Sequence, residues 1–593
     1  KMDFLGLRNL TVIDHTIKLL QQKDVIIEIE KIPMDDAKVY KLFAKGLTIG
    51  VFQFESSGMR EFLKKLKPTH FEDLIAMNAL YRPGPMKNID NFINRRSGKK
   101  KIEYVSPALK PILDETYGII VYQEQVMQIT NEIANFTLAQ ADILRRAIGK
   151  KNTELMEALK VKFINGASNN GMSKKQATNI YGLIEKFAQY GFNKSHSTAY
   201  AYISYQTAWL KTYHPAEFMA ANLTSEMNNI DRVVILINEC RKLKIDVLPP
   251  DINVSNVNFQ PIDETSISFG MNAIKNVGEK ALEFIIAARE KDGPFNSLFD
   301  FTGRVDLQAV NKKVLESLIV SGSMDHLEGS RAEKVSTIDI ALRYGQNIQS
   351  ERYKNQVDLF GDSGNGSGVS MVPDLQEVRP WSDGEALANE KGVLGLYLTG
   401  HPLLEYADDL EDFSNHDFTE SIQDRNLKIV RIGGAIQNYK IHFDRKNKQM
   451  AFFTLECLGG HAEILVFSNT FAKYKELLSE DKIVFVSGKP TDNADFSDLK
   501  LVADEIVPLE KVRDYYAKSI NLQLDLENIL PQDIEDLHSL SKQYPGSCNL
   551  MFHYNDENQR KKRILSHNTR VSSSREFLTK LRDVYGKSNV WVL

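Results

Sequence analysis

Apolar and polar positions follow one another in blocks of different period. Residues 1–7 (Lys-Met-Asp-Phe-Leu-Gly-Leu) alternate as a short strand, with Lys1, Asp3 and Leu5 on one face, and stop at Gly6; a helix is expected from about Arg8. From about 16 to 245 apolar residues recur at helical spacing, broken by turns such as Arg82-Pro83-Gly84-Pro85 and Asn169-Asn170-Gly171. Leu248-Pro249-Pro250-Asp251 closes that region, and residues 256–345 switch to short strands and helices. Gly361-Asp362-Ser363-Gly364-Asn365-Gly366-Ser367-Gly368 is a flexible linker by composition. Between 428 and 508 apolar and polar residues alternate in short runs: Lys428–Ala435, Met450–Cys457, Ala462–Phe467 and Ile483–Gly488. A helix-like insert, Ala472–Leu478, precedes the last of these. Five strands with one helix are what a small oligonucleotide-binding (OB) barrel requires. The remainder, about 512–593, reads as a small α+β domain.

Bulk properties alter this picture little. A chain of 593 residues should form about four domains, at roughly 150 residues each. Hydrophobic residues make up 42%, enough for several cores, while the net charge is only −4. Nucleic-acid binding therefore requires local grouping of the cations. Such groups occur at Lys64-Lys65, Arg95-Arg96, Lys99-Lys100-Lys101, Arg145-Arg146 and Lys150-Lys151, which together point toward a polyanion. The three cysteines (Cys240, Cys457, Cys548) are far apart and odd in number, so they offer neither a disulfide framework nor a zinc pattern and suit a reducing cytosol. No apolar run reaches the roughly 20 residues of a membrane span, and no signal peptide is recognisable before the first helix, so no membrane partner is expected. The chain opens on Lys1 rather than Met, as expected for the C-terminal part of something longer.

The most informative stretch is 190–206, where Asn193, Lys194, Ser195, His196 and Ser197 lead from a small-residue turn into a helix rich in tyrosine. Such a turn is expected to set a cation, hydroxyls and an imidazole beside free backbone N–H groups at a helix N-terminus, a site suited to phosphate. Rings one or two turns later could stack on a base or sugar. Ordinary capping by Ser or Asn with core packing accounts for the same residues equally well.

Upstream, the chain runs Val51-Phe52-Gln53-Phe54-Glu55-Ser56-Ser57-Gly58-Met59-Arg60, then Phe71-Glu72-Asp73-Leu74-Ile75-Ala76, then Tyr81-Arg82-Pro83-Gly84-Pro85-Met86. Next come Gly118-Ile119-Ile120-Val121-Tyr122-Gln123-Glu124-Gln125-Val126-Met127 and Ala141-Asp142-Ile143-Leu144-Arg145-Arg146-Ala147-Ile148-Gly149-Lys150-Lys151. In this order the blocks closely resemble the fingers domain of the C-family replicative DNA polymerases, the alpha subunits of bacterial DNA polymerase III. The resemblance extends over essentially the whole chain. It implies a multidomain α+β protein with the end of a palm (1–15) and mostly helical fingers (16–250). A helix-hairpin-helix and clamp-binding region (251–405), an OB-fold domain (406–510) and a small α+β C-terminal domain (511–593) follow.

What the family does becomes an expectation for particular residues. In the C family a Lys-x-Asp-Phe-x-Gly-Leu strand supplies the third catalytic carboxylate, so Asp3 is the expected ligand of two Mg2+ ions and Lys1 reaches the phosphates. The family's Asp-x-Asp pair does not occur here, and the chain by itself is expected not to polymerise. Arg145, Arg146 and Lys150 are expected at the triphosphate of the incoming dNTP, as guanidinium groups suit bidentate phosphate contacts. Asn193, Lys194, Ser195 and His196 are expected at its sugar and phosphates, His196 being a candidate for excluding a ribose 2′-hydroxyl. Arg82 either touches nucleotide or template or only pins its turn.

Three further elements carry expectations. Asn276-Val277-Gly278-Glu279-Lys280 resembles a helix-hairpin-helix turn, in which Lys275, Gly278 and Lys280 meet the backbone of primer-template DNA; a helix C-cap at the glycine is the plain alternative. Gln356-Val357-Asp358-Leu359-Phe360 resembles a sliding-clamp-binding peptide, with Gln356 as anchor, Leu359 and Phe360 as pocket fillers and Asp358 between. Tyr439, His442, Phe443, Arg445 and Lys446 are candidates for single-stranded template on the barrel, though barrel packing explains any one of them. The family also implies a clamp-loader subunit at the C-terminal domain, allows a separate proofreading exonuclease subunit, and implies a cytoplasmic location. Against template-directed DNA synthesis stands one other class, a non-catalytic DNA- and clamp-binding module.

Overall fold

The computed structural model describes residues 6–149, 153–188, 191–357, 372–416, 418, 427–458, 460–491, 499–524, 530–555 and 561–593. Lys1, Asp3, Lys150, Asp358, Leu359 and Phe360 lie outside the described residues. The chain divides into two compact units, Lys1–Thr399 and Gly400–Leu593.

The expected helix after Gly6 is present as Arg8–Gln21, and helices dominate up to Lys242. Their starts follow from local chemistry. Asp36 Oδ1 accepts from the Lys38 N–H at 2.8 Å to cap the helix Ala37–Ala44. Asp73 accepts from the backbone N–H of Thr69 (3.0 Å) and His70 (3.2 Å) to fix the start of Phe71–Leu80. That helix is apolar nearly all round (Leu74, Ile75, Ala76, Met77, Leu80) and sits in the middle of the core. It packs against the long helix Lys194–Tyr213, whose Ala201, Tyr205 and Ala208 are fully buried.

A second core, built from Leu109, Val126, Ile129, Phe136, Leu144, Phe163 and Tyr181, makes a separate lobe around the helices Gln123–Ala134, Leu138–Gly149, Thr153–Asn169 and Lys174–Ala188. Gly166 permits one of its crossings, since a Cβ there would stand 2.2 Å from the Ala134 carbonyl oxygen. The Pro249-Pro250 segment does end the helical run. It follows β1 (Asp246–Leu248), which joins β2 (Gln260–Pro261) and β3 (Ser266–Ser268) in a sheet of order β1-β3-β2. The helices Glu279–Asp292, Leu298–Arg304, Lys312–Val320 and Arg331–Val357 follow, and Gln356 falls in the last turn of the last one.

The second unit contains the expected barrel. Strands β4 (Val430–Phe443), β5 (Gln449–Cys457), β6 (Gly460–Val466), β7 (Ile483–Pro490) and β8 (Leu499–Pro508) close in the order β4-β5-β6-β8-β7. Alternation is plain in β5, where Ala451, Phe453, Leu455 and Cys457 point inward. The helical insert begins earlier than expected, as Ser468–Tyr474 with a 3-10 turn at Lys475–Leu477. Beyond the barrel, β9 (Ser519–Gln523), β10 (Pro545–Asn555), β11 (Lys561–Val571) and β12 (Val590–Val592) form a sheet of order β11-β10-β9-β12. The helices Pro531–Gln543 and Arg575–Tyr585 pack on it through Leu537, Phe577, Leu578 and Leu581. Asp409 pairs with Arg513 and Arg575, and Asp412 with Arg513 and Arg582, tying the helix Ala407–Phe413 to this domain. Cys240, Cys457 and Cys548 are all buried thiols, and burial pushes the Cys240 pKa up to about 12.

Candidate functional site

The turn at 191–196 and the helix it opens sit where three other segments converge. The backbone of Phe192 pairs with the Val121–Gln123 strand-like segment: Phe192 N–H donates to Val121 O (3.3 Å) and Gln123 N–H to Phe192 O (2.9 Å). The Gln123 side chain then faces two ways. Its amide nitrogen donates to Gly191 O at 3.0 Å, and its oxygen accepts from Arg145 Nη1 at 3.3 Å. Gln123 thus couples the cationic helix of the second lobe to the turn. Arg145 and Arg146 both pair with Asp142, at 2.8 and 2.7 Å, and the Arg145 hydrogen bond holds the Asp142 carboxyl below its ordinary pKa. Arg146 stays 67% exposed.

Arg82 arrives from the Pro-Gly-Pro turn. Its Nε donates to Ala79 O at 3.1 Å, and its guanidinium lies 4.0 Å over the Phe192 ring. Partial burial pulls its pKa down. Arg82 thus pins its turn and joins that turn to 191–196. His196 is exposed, with its ring 4.3 Å from Tyr200 and 5.3 Å from Phe192; Tyr200 in turn lies 5.2 Å from Phe52. These rings form one aromatic group beside the cations. Other tyrosines of the same helix serve the fold. Tyr205 is buried against Tyr40 and Phe71, Tyr202 Oη donates to Glu30 O, and Tyr213 Oη bonds to Asp36.

One expectation is corrected. The backbone N–H groups of Lys194, His196 and Ser197 at the helix start are not free. Asn193 Oδ1 accepts from His196 N–H (2.8 Å), Glu124 accepts from Lys194 N–H (3.0 Å), and Ser197 N–H donates to Asn193 O (3.1 Å). Glu124 also accepts from Asn193 Nδ2 at 2.9 Å, and Glu115 accepts from Lys194 Nζ at 2.7 Å. Carboxylates already occupy the positive end of the helix, as the dipole favours. Ser197 is fully buried and donates to Ile75 O at 2.6 Å, whereas Ser195 is exposed. Gln123, Glu124 and Glu115 had no assigned role in the sequence; the sign was a Gln-Glu pair at a helix start, straight after an apolar run.

The basic clusters also separate. Arg96 makes a bidentate bridge to Asp73 (2.6 Å each) and donates to Leu66 O, and Arg95 donates to Tyr117 O; both support the fold. Lys64 pairs with Glu61. Downstream, Gly278 caps the start of Glu279–Asp292, so the C-cap alternative is excluded. Lys275, Gly278 and Lys280 are all exposed there, and Asn276 takes the positive φ of 69°.

On the barrel, the β4–β5 hairpin is held by Asp444, which accepts from the N–H of Lys446 (2.8 Å) and Lys448 (2.9 Å) and from Ser468 Oγ (3.0 Å). This leaves Arg445 and Lys446 exposed beside Phe443, which is 62% exposed. His442 meets the outward Phe452 ring at 5.1 Å. Tyr439 instead packs on the barrel core.

Comparison with known proteins adds the following. The family model described as the bacterial DNA polymerase III alpha subunit finger domain matches residues 9–171. A helix-hairpin-helix motif matches 244–334, an OB-fold nucleic acid binding domain matches 430–509, and the C-terminal domain of the DNA polymerase III alpha subunit matches 520–584. Similar curated proteins include the DNA polymerase III subunit alpha of Pseudomonas aeruginosa, 39% identical over 100% of this chain and 53% of its own length. Those of Vibrio cholerae (39%) and Escherichia coli (37%) each align with 100% of this chain and 52% of their own length. The chain spans about half the length of the curated relatives it matches.

Proposed function

Since the chain belongs to the bacterial DNA polymerase III alpha-subunit family, we propose that it serves template-directed DNA synthesis, binding the incoming dNTP with its helical fingers and primer-template DNA with its other modules. The observation that carries this reading is the convergence of Arg82, Arg145, Lys194, His196 and Tyr200 around Phe192 and Gln123. Cations and an open aromatic group side by side suit a nucleoside triphosphate. Arg145, Arg146, Lys150 and Lys1 take the phosphates. Lys194 exchanges Glu115 for a phosphate oxygen, and Asn193 and Ser195 bond the sugar. His196 stacks with Tyr200 beside the sugar edge, where it excludes a 2′-hydroxyl.

In this reading Asp3 would help to hold two Mg2+ ions, which when bound would supply activation of the primer hydroxyl and charge stabilisation at the triphosphate. A carboxylate oxygen such as that of Asp3 is the hard ligand Mg2+ prefers. Among the described residues no three His, Cys, Asp or Glu side chains could hold a metal ion together. The Gly278 turn and Lys275 and Lys280 contact duplex phosphates. The Phe443, Arg445 and Lys446 hairpin contacts single-stranded template. Gln356, Asp358, Leu359 and Phe360 dock in the sliding clamp. The C-terminal domain meets the clamp-loader subunit, a proofreading exonuclease subunit joins the assembly, and the protein works in the cytoplasm. No helix among the described residues is long and apolar enough to cross a membrane.

Primer extension by the polymerase chain that contains this segment tests the catalytic part. Asp3→Asn should abolish extension while leaving DNA affinity intact. Retained extension would remove Asp3 from the metal site, whereas no extension by the unsubstituted chain would favour a module that only binds DNA and clamp.

A further inference from the structure

Among the described residues, two helices cover one side of the C-terminal sheet. Ile520, Leu522, Leu550 and Val592 are buried under the two helices with Leu537 and Phe577. The register puts different chemistry on the other side. Trp591 lies opposite Asn521, Asn521 opposite Met551, and Met551 opposite Leu565. Gln523, His553 and Arg563 form the next row, and Ser519, Asn549 and Arg570 the row beyond. The His553 ring is 4.8 Å from that of Trp591, and its Nε2 is 2.9 Å from Asn521 Oδ1, which orients it on the sheet.

The four strands contain Lys561, Lys562, Arg563 and Arg570 and no Asp or Glu, whereas both covering helices carry acidic and basic residues together. Arg563 and Arg570 are exposed and form no ion pair among the described residues. β11 is the sheet's outer strand, so these cations line one edge of a surface with two aromatic rings.

We propose that this open face binds single-stranded DNA, with bases stacked on Trp591 and His553 and phosphates held along β11 by Arg563 and Arg570. Rings against a pleated surface can accept only unpaired bases, and the half-buried Gln523 and Asn549 offer hydrogen bonds to base edges. An apolar protein partner would meet an unfavourable number of polar groups here. The site is separate from the barrel hairpin and does not depend on the nucleotide reading.

The test uses the full chain with Phe443, Arg445 and Lys446 replaced by Ala, so that the barrel hairpin does not mask the sheet. Labelled oligothymidylate is titrated at several salt concentrations. Trp591→Leu should weaken binding by roughly five- to a hundredfold, the range of one lost base stack. Arg563→Ala with Arg570→Ala should weaken it and lower the salt slope by about two, and Arg563→Lys should restore part of the loss. Both arginines are exposed, so an unchanged thermal melt is expected. Equal affinity and slope in all variants would overturn the proposal. So would the absence of oligothymidylate binding in a chain that binds polyglutamate through the same arginines, which would make the face a dock for an acidic protein.

Discussion

Gly278 has a φ of −94°, and a Cβ built on it would meet nothing within 4 Å. The fold does not need glycine there, but a phosphate approaching the backbone does. Serine caps helices slightly better than glycine, by a few tenths of a kcal/mol. Gly278→Ser should therefore leave the melting temperature unchanged or slightly raised while weakening duplex DNA binding several-fold; full duplex affinity would take the turn out of the DNA interface. Lys211 is the opposite case, a cation kept for the fold alone. Its side chain is 0% exposed, it donates to Leu47 O and Ile49 O, and it pairs with Glu239. Burial pulls its pKa down, and Glu239 opposes that shift. Lys211→Ala leaves a buried carboxylate alone and should cost about 3–5 kcal/mol in denaturant unfolding. A loss below about 1 kcal/mol would mean that water reaches the pair.

Among elements, the barrel was legible because several short runs of period two with one helical insert match the strand and helix content of a small barrel. The helices before Lys242 were legible from their 3.6 period, and the site turn from its run of small and polar residues. The partners at the turn were not. Asn193 finds Glu124 at a separation of 69 residues, and no local pattern announces a cap supplied from another helix. Basic clusters look alike along the chain for the same reason. Asp73 makes Arg96 structural from 23 residues away, while Arg146 keeps an exposed side chain. Glu124 is thus the element-scale test. Its removal in Glu124→Ala should destabilise by about 1 kcal/mol, as loss of a cap does, and speed hydrogen exchange at the Lys194 amide. Unchanged exchange would mean that the helix start is held by Asn193 alone.

At the scale of the molecule, each unit carries its own candidate nucleic-acid sites. The first holds the candidate nucleotide site and the Gly278 turn; the second holds the barrel hairpin and the open sheet face. A net charge of −4 is compatible with this because cations are grouped locally at those places. The central claim is that the residues gathered around Phe192 receive the incoming dNTP. Single-nucleotide insertion under pre-steady-state conditions, by the full-length protein, measures it directly. Arg145→Ala and His196→Ala should each raise the dNTP concentration for half-maximal rate by about tenfold or more, which is about 1.4 kcal/mol of lost binding, with primer-template affinity unchanged. A dNTP dependence identical to that of the unsubstituted chain would contradict the account.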